Sequence, residues 1–267
     1  MNQVKRIGFF DSGVGGLSVL RHAPARIGSA DYIYVADAAY APYGKQTEEF
    51  ILQRSLLITE FLVAQDIDAL VIACNTATAV SIDAIRERYA LPVIGMEPAI
   101  KPAVDKSSNK KVAVLGTENT LRSRRYKDLK DQYTQVLQVY ERACHDWVEI
   151  VEENNLDKRT IQKYVDSYIQ PLIEKDVDTF ILACTHFPFL RDHIERSLPP
   201  GSCVIDPAEA VIEQLAQRLE IKTNEIVSEV FPRLNLYSSM AIDQMTVKLK
   251  TRLMKWTVDV MPLKLQD

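Results

Sequence analysis

The chain of 267 residues lacks any uninterrupted apolar run near the roughly 18 residues a membrane-spanning helix requires. Its N-terminus, Met1 to Arg6, leads into only a short apolar stretch, Ile7 to Phe10, before Asp11. That is too short for a secretory signal, so a cytoplasmic location is expected. Basic charge is not in excess: 32 Lys and Arg face 36 Asp and Glu, for a net charge of −4. Nucleic acid is therefore not expected as the main partner, because no surplus cation exists to neutralise phosphates. Cysteine is sparse and scattered. Cys74, Cys144, Cys184 and Cys203 include no Cys-x-x-Cys pair, and their spacing fits neither a disulfide framework nor a zinc site. Low-complexity segments and long linkers are also absent, although the polar break Asp105–Lys110 reads as a hinge.

What is present is ordinary in bulk and informative in pattern. A hydrophobic fraction of 47% and a charged fraction of 25% suit a globular chain of one large or two moderate domains. Short apolar runs at Arg6–Phe10, Tyr32–Ala36, Ala69–Ala73, Val93–Met96, Lys111–Leu115, Thr179–Ala183 and Cys203–Ile205 read as strands. Helical patterns lie between them at Thr47–Gln65, Ala77–Tyr89, Leu121–Tyr133, Arg159–Lys175 and Pro207–Glu220. Alternation of this kind, with strands apolar on both faces, predicts an α/β fold with mostly parallel sheets. Near the C-terminus, Arg233–Ser238 alternates like a strand. Ile242–Trp256 reads as a basic amphipathic helix, for which a solvated face over the core is the usual explanation.

An internal repeat organises these elements. Asp68-Ala-Leu-Val-Ile-Ala-Cys74-Asn75-Thr76 matches Asp178-Thr-Phe-Ile-Leu-Ala-Cys184-Thr185-His186, with the cysteines 184 − 74 = 110 positions apart. Downstream, Met96-Glu97-Pro98-Ala99 matches Ile205-Asp206-Pro207-Ala208, and upstream Phe10-Asp11-Ser12 matches Leu115-Gly116-Thr117. Two pseudo-symmetric α/β domains follow, with the active site in the cleft between them. The expected division is 1–97 plus 209–267 for a discontinuous first domain and 98–208 for the second. Ligands in such sheets bind beyond the carboxyl ends of strands, where both repeated cysteines sit.

Two facing thiols suit one task in particular. Inverting a carbon that bears a single hydrogen needs a base on one face and an acid on the other. A free thiol is only a few per cent ionised at neutral pH, so each cysteine, at a strand-to-helix junction, is expected to draw on helix N-terminal amides. Asp11 and His186 are candidate proton relays. Hydroxyl- and amide-rich loops supply donors for substrate carboxylates: Asp11–Gly16, Asn75–Thr78, Gly116 and Thr117 with Thr120, and Thr185 with His186. The glycines of Asp11–Gly16 match neither Gly-x-Gly-x-x-Gly nor the Walker pattern, which counts against nucleotide binding.

Asp-Ser-Gly-Val-Gly-Gly (11–16), Pro-Tyr-Gly (42–44), Ala-Cys-Asn-Thr-Ala-Thr (73–78), Gly-Met-Glu-Pro-Ala (95–99) and Cys-Thr-His-Phe-Pro (184–188) resemble, in order, the motifs of the aspartate/glutamate racemase family, and of its glutamate racemases in particular. The resemblance runs from about residue 7 to 220. It implies an isomerase that works without pyridoxal phosphate or metal, commonly as a homodimer, and that supplies D-glutamate for peptidoglycan. It also implies that Cys74 acts on the D-enantiomer and Cys184 on the L-enantiomer, assisted by Asp11 and His186. Ser12, Pro42, Tyr43, Gly44, Asn75, Thr76, Thr117, Thr120 and Thr185 then bind substrate, with Glu152 as a supporting carboxylate. Phe187 stands where the family more often has tyrosine, and Ala183 where glycine is usual. The short N-terminus lacks the extension carried by members that a cell-wall precursor activates, so that regulation is not expected.

Other readings stay open at this point. An aspartate racemase would use the same thiols. A single-cysteine hydrolase or transferase with Cys184 and His186 leaves Cys74 and the repeat unexplained, and a binding module leaves the acid/base set unexplained. Cys144 and Cys203 read as ordinary buried thiols, and His22, His145 and His193 as surface or satisfied residues. Asp37 either lines the cleft or caps a turn.

Overall fold

A computed structural model describes residues 4–153, 155–221, 232–249, 252–253 and 256–265. Its strands, in chain order, are β1 (Lys5–Asp11), β2 (Ala30–Ala36), β3 (Ala69–Ile72), β4 (Val93–Gly95), β5 (Lys111–Gly116), β6 (Gln138–Ala143), β7 (Thr179–Ala183), β8 (Cys203–Ile205), β9 (Arg233–Ser238) and β10 (Thr257–Pro262). They form two sheets, ordered β10-β9-β2-β1-β3-β4 and β6-β5-β7-β8. Every pairing among the described residues is parallel. The order β2-β1-β3-β4 is repeated as β6-β5-β7-β8, so the sequence repeat is a repeat of topology. The expected α/β architecture is present, with two extra strands, β9 and β10, on the first sheet.

The runs of β1, β2, β3, β5 and β7 lie inside their sheets, covered on both faces; β3, for example, is buried along its whole length, whereas β4 and β8 are short edge strands. Three strands have no such run: β9 is expected from its alternation, whereas β6 and β10 are not foreseen. Both β6 and β10 lie at sheet edges and alternate or remain half-exposed, so continuous hydrophobicity was never required of them. The helix expected over Leu121–Tyr133 is split into Glu118–Arg122 and Arg124–Asp131. Ser123 interrupts it in an extended conformation, and its hydroxyl oxygen accepts the Tyr126 N–H at 3.2 Å. The C-terminal helix covers Ile242–Leu249; residues 250, 251, 254 and 255 of the longer expected segment lie outside the described residues.

The repeat also explains the polar break read as a hinge. Asp68 and Asp178 stand at equivalent positions before β3 and β7. Asp68 accepts the Arg6 N–H at 2.7 Å and the Lys5 ammonium at 3.2 Å. Asp178 accepts the Ser108 and Asn109 N–H groups at 2.8 and 3.0 Å and the Ser107 hydroxyl at 2.6 Å. Each carboxylate therefore ties down the approach to the neighbouring strand, and Ser107–Asn109 are pinned rather than left as a free hinge.

Candidate active site

β1 and β3 of one sheet and β5 and β7 of the other end at a common small cavity. Cys74 and Cys184 both line it, the first directly after β3 and the second directly after β7. Ser12, Asn75, Thr76, Thr117, Thr185 and His186 complete the polar wall. Pro42, Tyr43 and Gly44 close one side, and Val148 adds an apolar surface that sequence reasoning passed over. Val148 belongs to the helix Trp147–Glu153 and had no signal beyond its apolar neighbours. A larger open groove lined by Arg86, Arg125 and Arg218 contains neither thiol.

Three expected site residues stand behind the wall instead of in it. Asp11, at the end of β1, is fully buried and accepts the Gly13 N–H at 2.8 Å and the Thr185 hydroxyl at 2.9 Å. Burial raises its carboxyl above the usual range, against the pull of His186 and those hydrogen bonds. Thr120 hydrogen-bonds to both Thr76 and Thr117, at 3.1 and 2.9 Å, and so orients two hydroxyls that do face the cavity. Glu152, placed among the substrate-binding residues, does not reach the cavity. Its Oε1 lies 2.8 Å from His186 Nε2 and accepts the Val14 N–H at 2.8 Å, so it supports the imidazole from behind.

The two thiols have unlike surroundings. Cys74 caps the helix Asn75–Arg88, and its sulfur accepts the Ala77 N–H at 3.4 Å. That is the helix N-terminus expected from the sequence, but it does not prevail. Burial pushes the Cys74 thiol up to about 12, and the negative charge of Asp11 adds to the rise. Cys184 has no such helix: a single turn of 3-10 helix, Phe187–Leu190, follows it. Its partner is His186, with Nδ1 at 3.8 Å from the sulfur. Burial works against charge on His186, yet hydrogen bonds to Cys184 and Glu152 hold its pKa well above the ordinary histidine value. Burial likewise opposes the Glu152 carboxylate, but His186 and Lys248 outweigh it and bring the pKa down to about 2.

The glycine-rich loop after β1 exists to bring these groups together. A Cβ on Gly13 would lie 1.9 Å from Glu152 Oε1, and one on Gly15 would lie 2.3 Å from His186 Nδ1. Only backbone without side chains fits against the His186–Glu152 pair. Asp37 is not in the cavity wall; it opens the turn Ala38–Tyr40, where its carbonyl accepts the Tyr40 N–H at 3.0 Å, but its side chain does not cap that turn. Its carboxylate takes two hydrogen bonds from Arg54, at 3.0 and 2.7 Å, and one from the Tyr43 hydroxyl at 2.6 Å, and so fixes Tyr43 in the cavity wall. Asn75 is the clearest sign of a ligand. Its amide nitrogen and oxygen are buried without a protein partner, beside the cavity its residue lines.

Phe187 packs edge-on against Trp147 at a centroid distance of 4.8 Å, a contact that needs no tyrosine hydroxyl. Cys144 is buried and Cys203 partly so, away from the cavity wall, and His193 is hydrogen-bonded to Gln162 at 2.9 Å.

Comparison with known proteins agrees with this geometry. The Asp/Glu/Hydantoin racemase family model matches residues 17–215. A glutamate racemase of Methylococcus capsulatus is 44% identical over 214 residues, 80% of this chain and 79% of its own. One of Clostridium perfringens is 35% identical over 250 residues, 93% of this chain and 96% of its own. Among solved structures, glutamate racemase RacE1 of Bacillus anthracis superposes with a TM-score of 0.86 at 29% identity, over 98% of this chain and 99% of that one. The Escherichia coli glutamate racemase, solved with L-glutamate and the activator UDP-MurNAc-ala, gives 0.85 at 28% identity, over 99% and 100%. With its two cysteines at matching strand ends of a duplicated sheet, the chain belongs to the Asp/Glu/Hydantoin racemase family.

Proposed function

We propose that this enzyme interconverts L- and D-glutamate by a two-thiol mechanism, without pyridoxal phosphate or metal, and that its D-glutamate supplies peptidoglycan synthesis. The observation that carries the reading is the placement of Cys74 and Cys184 on one small cavity, at equivalent ends of β3 and β7. The glutamate racemases among its relatives support the choice of substrate.

With D-glutamate, the Cys74 sulfur takes the α-proton and the C–H electron pair passes into the α-carboxylate. The Cys184 thiol then returns a proton to the opposite face. With L-glutamate the roles reverse. Each turnover moves one proton onto one sulfur and one off the other, so the enzyme ends as its mirror-charged form and is reset by proton exchange. The developing negative charge needs fixed donors. The unpartnered Asn75 amide and the hydroxyls of Ser12, Thr76, Thr117 and Thr185 are placed to provide them. Because burial and Asp11 hold Cys74 as a thiol in the empty site, the substrate ammonium is assigned the task of offsetting that charge. The Asp11 charge opposes ionisation of the resting thiol but makes the Cys74 thiolate, once formed, a stronger base, and His186 assists Cys184 directly. We further propose that the working domains are 1–97 with 209–267, and 98–208. Consistent with this, the helix Ile100–Lys106 packs on β7 and β8, and Ala208–Arg218 packs on β4.

The test is to incubate the purified protein, with no cofactor added, with L- or D-glutamate and to follow optical activity by circular dichroism, with aspartate in parallel. Loss of ellipticity from both glutamate enantiomers with aspartate inert is the expected result. Turnover of aspartate alone would replace the substrate, and inertness toward both acids would overturn the reading.

A further inference from the structure

The basic residues of the C-terminal segment are the one sequence feature the mechanism above leaves unused. Lys248 and Arg252, the two that fall among the described residues, are not turned to solvent. The helix Ile242–Leu249 buries Met245 and Leu249, and Lys248 is turned inward, with a side chain only 16% exposed. Its ammonium donates to Glu152 Oε2 at 2.8 Å and to the Glu152 carbonyl at 2.6 Å. Arg252, four residues on, donates to the Val151 carbonyl at 2.5 Å. Two cations thus close the C-terminal end of the helix Trp147–Glu153, where unpaired carbonyls and the helix dipole favour positive charge.

The consequence reaches the cavity because Glu152 uses its other oxygen on His186, which in turn meets Cys184. The resulting row is Cys184, His186, Glu152 and Lys248, drawn from three separate elements. We infer that Lys248 is a positioning residue for the reaction: it fixes the Glu152 carboxylate against His186 and supplies the positive charge that balances the array when Cys184 carries negative charge. Lys248 lies outside the cavity wall.

The charged and titratable groups facing this row are few. Glu152 meets His186 and Lys248 directly and feels Arg252, Asp11 and Tyr34; His186 meets Cys184 and Glu152 and feels Asp11; Cys184 feels Cys74 and Cys144. Val14 contributes a neutral N–H donor to Glu152. Removing one cation from such a row displaces its ionisations to higher pH, whichever member is titrated.

This inference rests on the two-thiol reading, and the test separates the two. kcat/KM for glutamate racemisation is measured from pH 6 to 10 for the wild type and for K248M, K248Q and K248R. K248M and K248Q are expected to move the profile up by about one pH unit, the order expected for a lost charge in a half-buried setting. Activity on the acid side then falls about tenfold, while KM changes little. K248R, which keeps the charge, is expected to keep the wild-type profile. If K248M does not fold, the pair K248Q and K248R carries the comparison. Profiles for K248Q and K248R that coincide with wild type, with only amplitude or Tm lowered, would overturn the inference and leave Lys248 a structural cap. A wild type inert toward glutamate would instead overturn the two-thiol reading itself.

Discussion

The two halves of the molecule share one topology and differ in what they put at the ends of their strands. In the first half, β1 ends in Asp11, and Cys74 opens a long helix. In the second, the position of Asp11 is taken by Gly116 at the end of β5, and Cys184 is followed by Thr185, His186 and a short turn. Asn75 and Thr76 thus correspond to Thr185 and His186. The charge of Asp11 acts on the Cys74 thiol, and the His186 imidazole lies beside the Cys184 sulfur. The repeat gives two equivalent strand ends, each followed by a cysteine, and the residues beside the two thiols differ.

The largest effect comes from removing either thiol. C74A and C184A should each lower racemisation by about 10⁴-fold, the upper range for a lost acid/base group. Each should still exchange the α-hydrogen of one enantiomer in deuterated water, D-glutamate for C184A and L-glutamate for C74A, as read by proton NMR. Exchange of the same enantiomer by both variants would break the assignment of the halves to opposite faces.

A second difference is structural. Asp37 and its buried partner Arg54 belong to the first half, with side chains 0% and 15% exposed. Replacing Arg54 by methionine leaves the carboxylate buried and unpaired, and should cost about 3–5 kcal/mol in denaturant unfolding. It should also loosen Tyr43 in the cavity wall. An unchanged unfolding midpoint would mean that Asp37 is solvated in solution.

Asn75 sharpens the comparison at the substrate. Its amide has no protein partner, whereas its counterpart Thr185 already donates to Asp11. N75A should therefore reduce kcat/KM by about 10- to 100-fold, the worth of hydrogen bonds to a charged group, with little loss of stability. Comparable activity in N75A would remove Asn75 from the binding set.

The smallest signal is the reactivity of Cys74 in the empty enzyme. With its thiol pushed up to about 12, alkylation at Cys74 should be slow at neutral pH. Mass spectrometry of the labelled peptide should find the rate climbing about tenfold per pH unit through the alkaline range. A plateau near pH 8 would mean that the helix N-terminus prevails over burial.

Much of this was legible in the amino-acid order, because buried parallel strands must be apolar and a duplicated motif repeats its spacing. The seven apolar runs became strands, and residues of four of the five motifs line one cavity. What escaped was whatever carried no local signature. The edges β6 and β10 needed no apolar run. Val148 looks like any core residue until the helix Trp147–Glu153 turns it to the cavity. Glu152 and Lys248 lie 96 positions apart and meet only through the fold. The balance of burial against helix dipole at Cys74 is likewise a three-dimensional quantity. The motif named the thiol but not which influence would prevail there.

The central claim is that two different groups serve the two faces of the α-carbon, and isotope transfer tests it most directly. L-glutamate is converted in deuterated water to a few per cent, and both enantiomers are separated and weighed by mass spectrometry. The account predicts D-glutamate carrying solvent deuterium at the α-carbon while the remaining L-glutamate keeps its protium. D-glutamate that retains the substrate's own hydrogen, or equal label in both enantiomers, would contradict it.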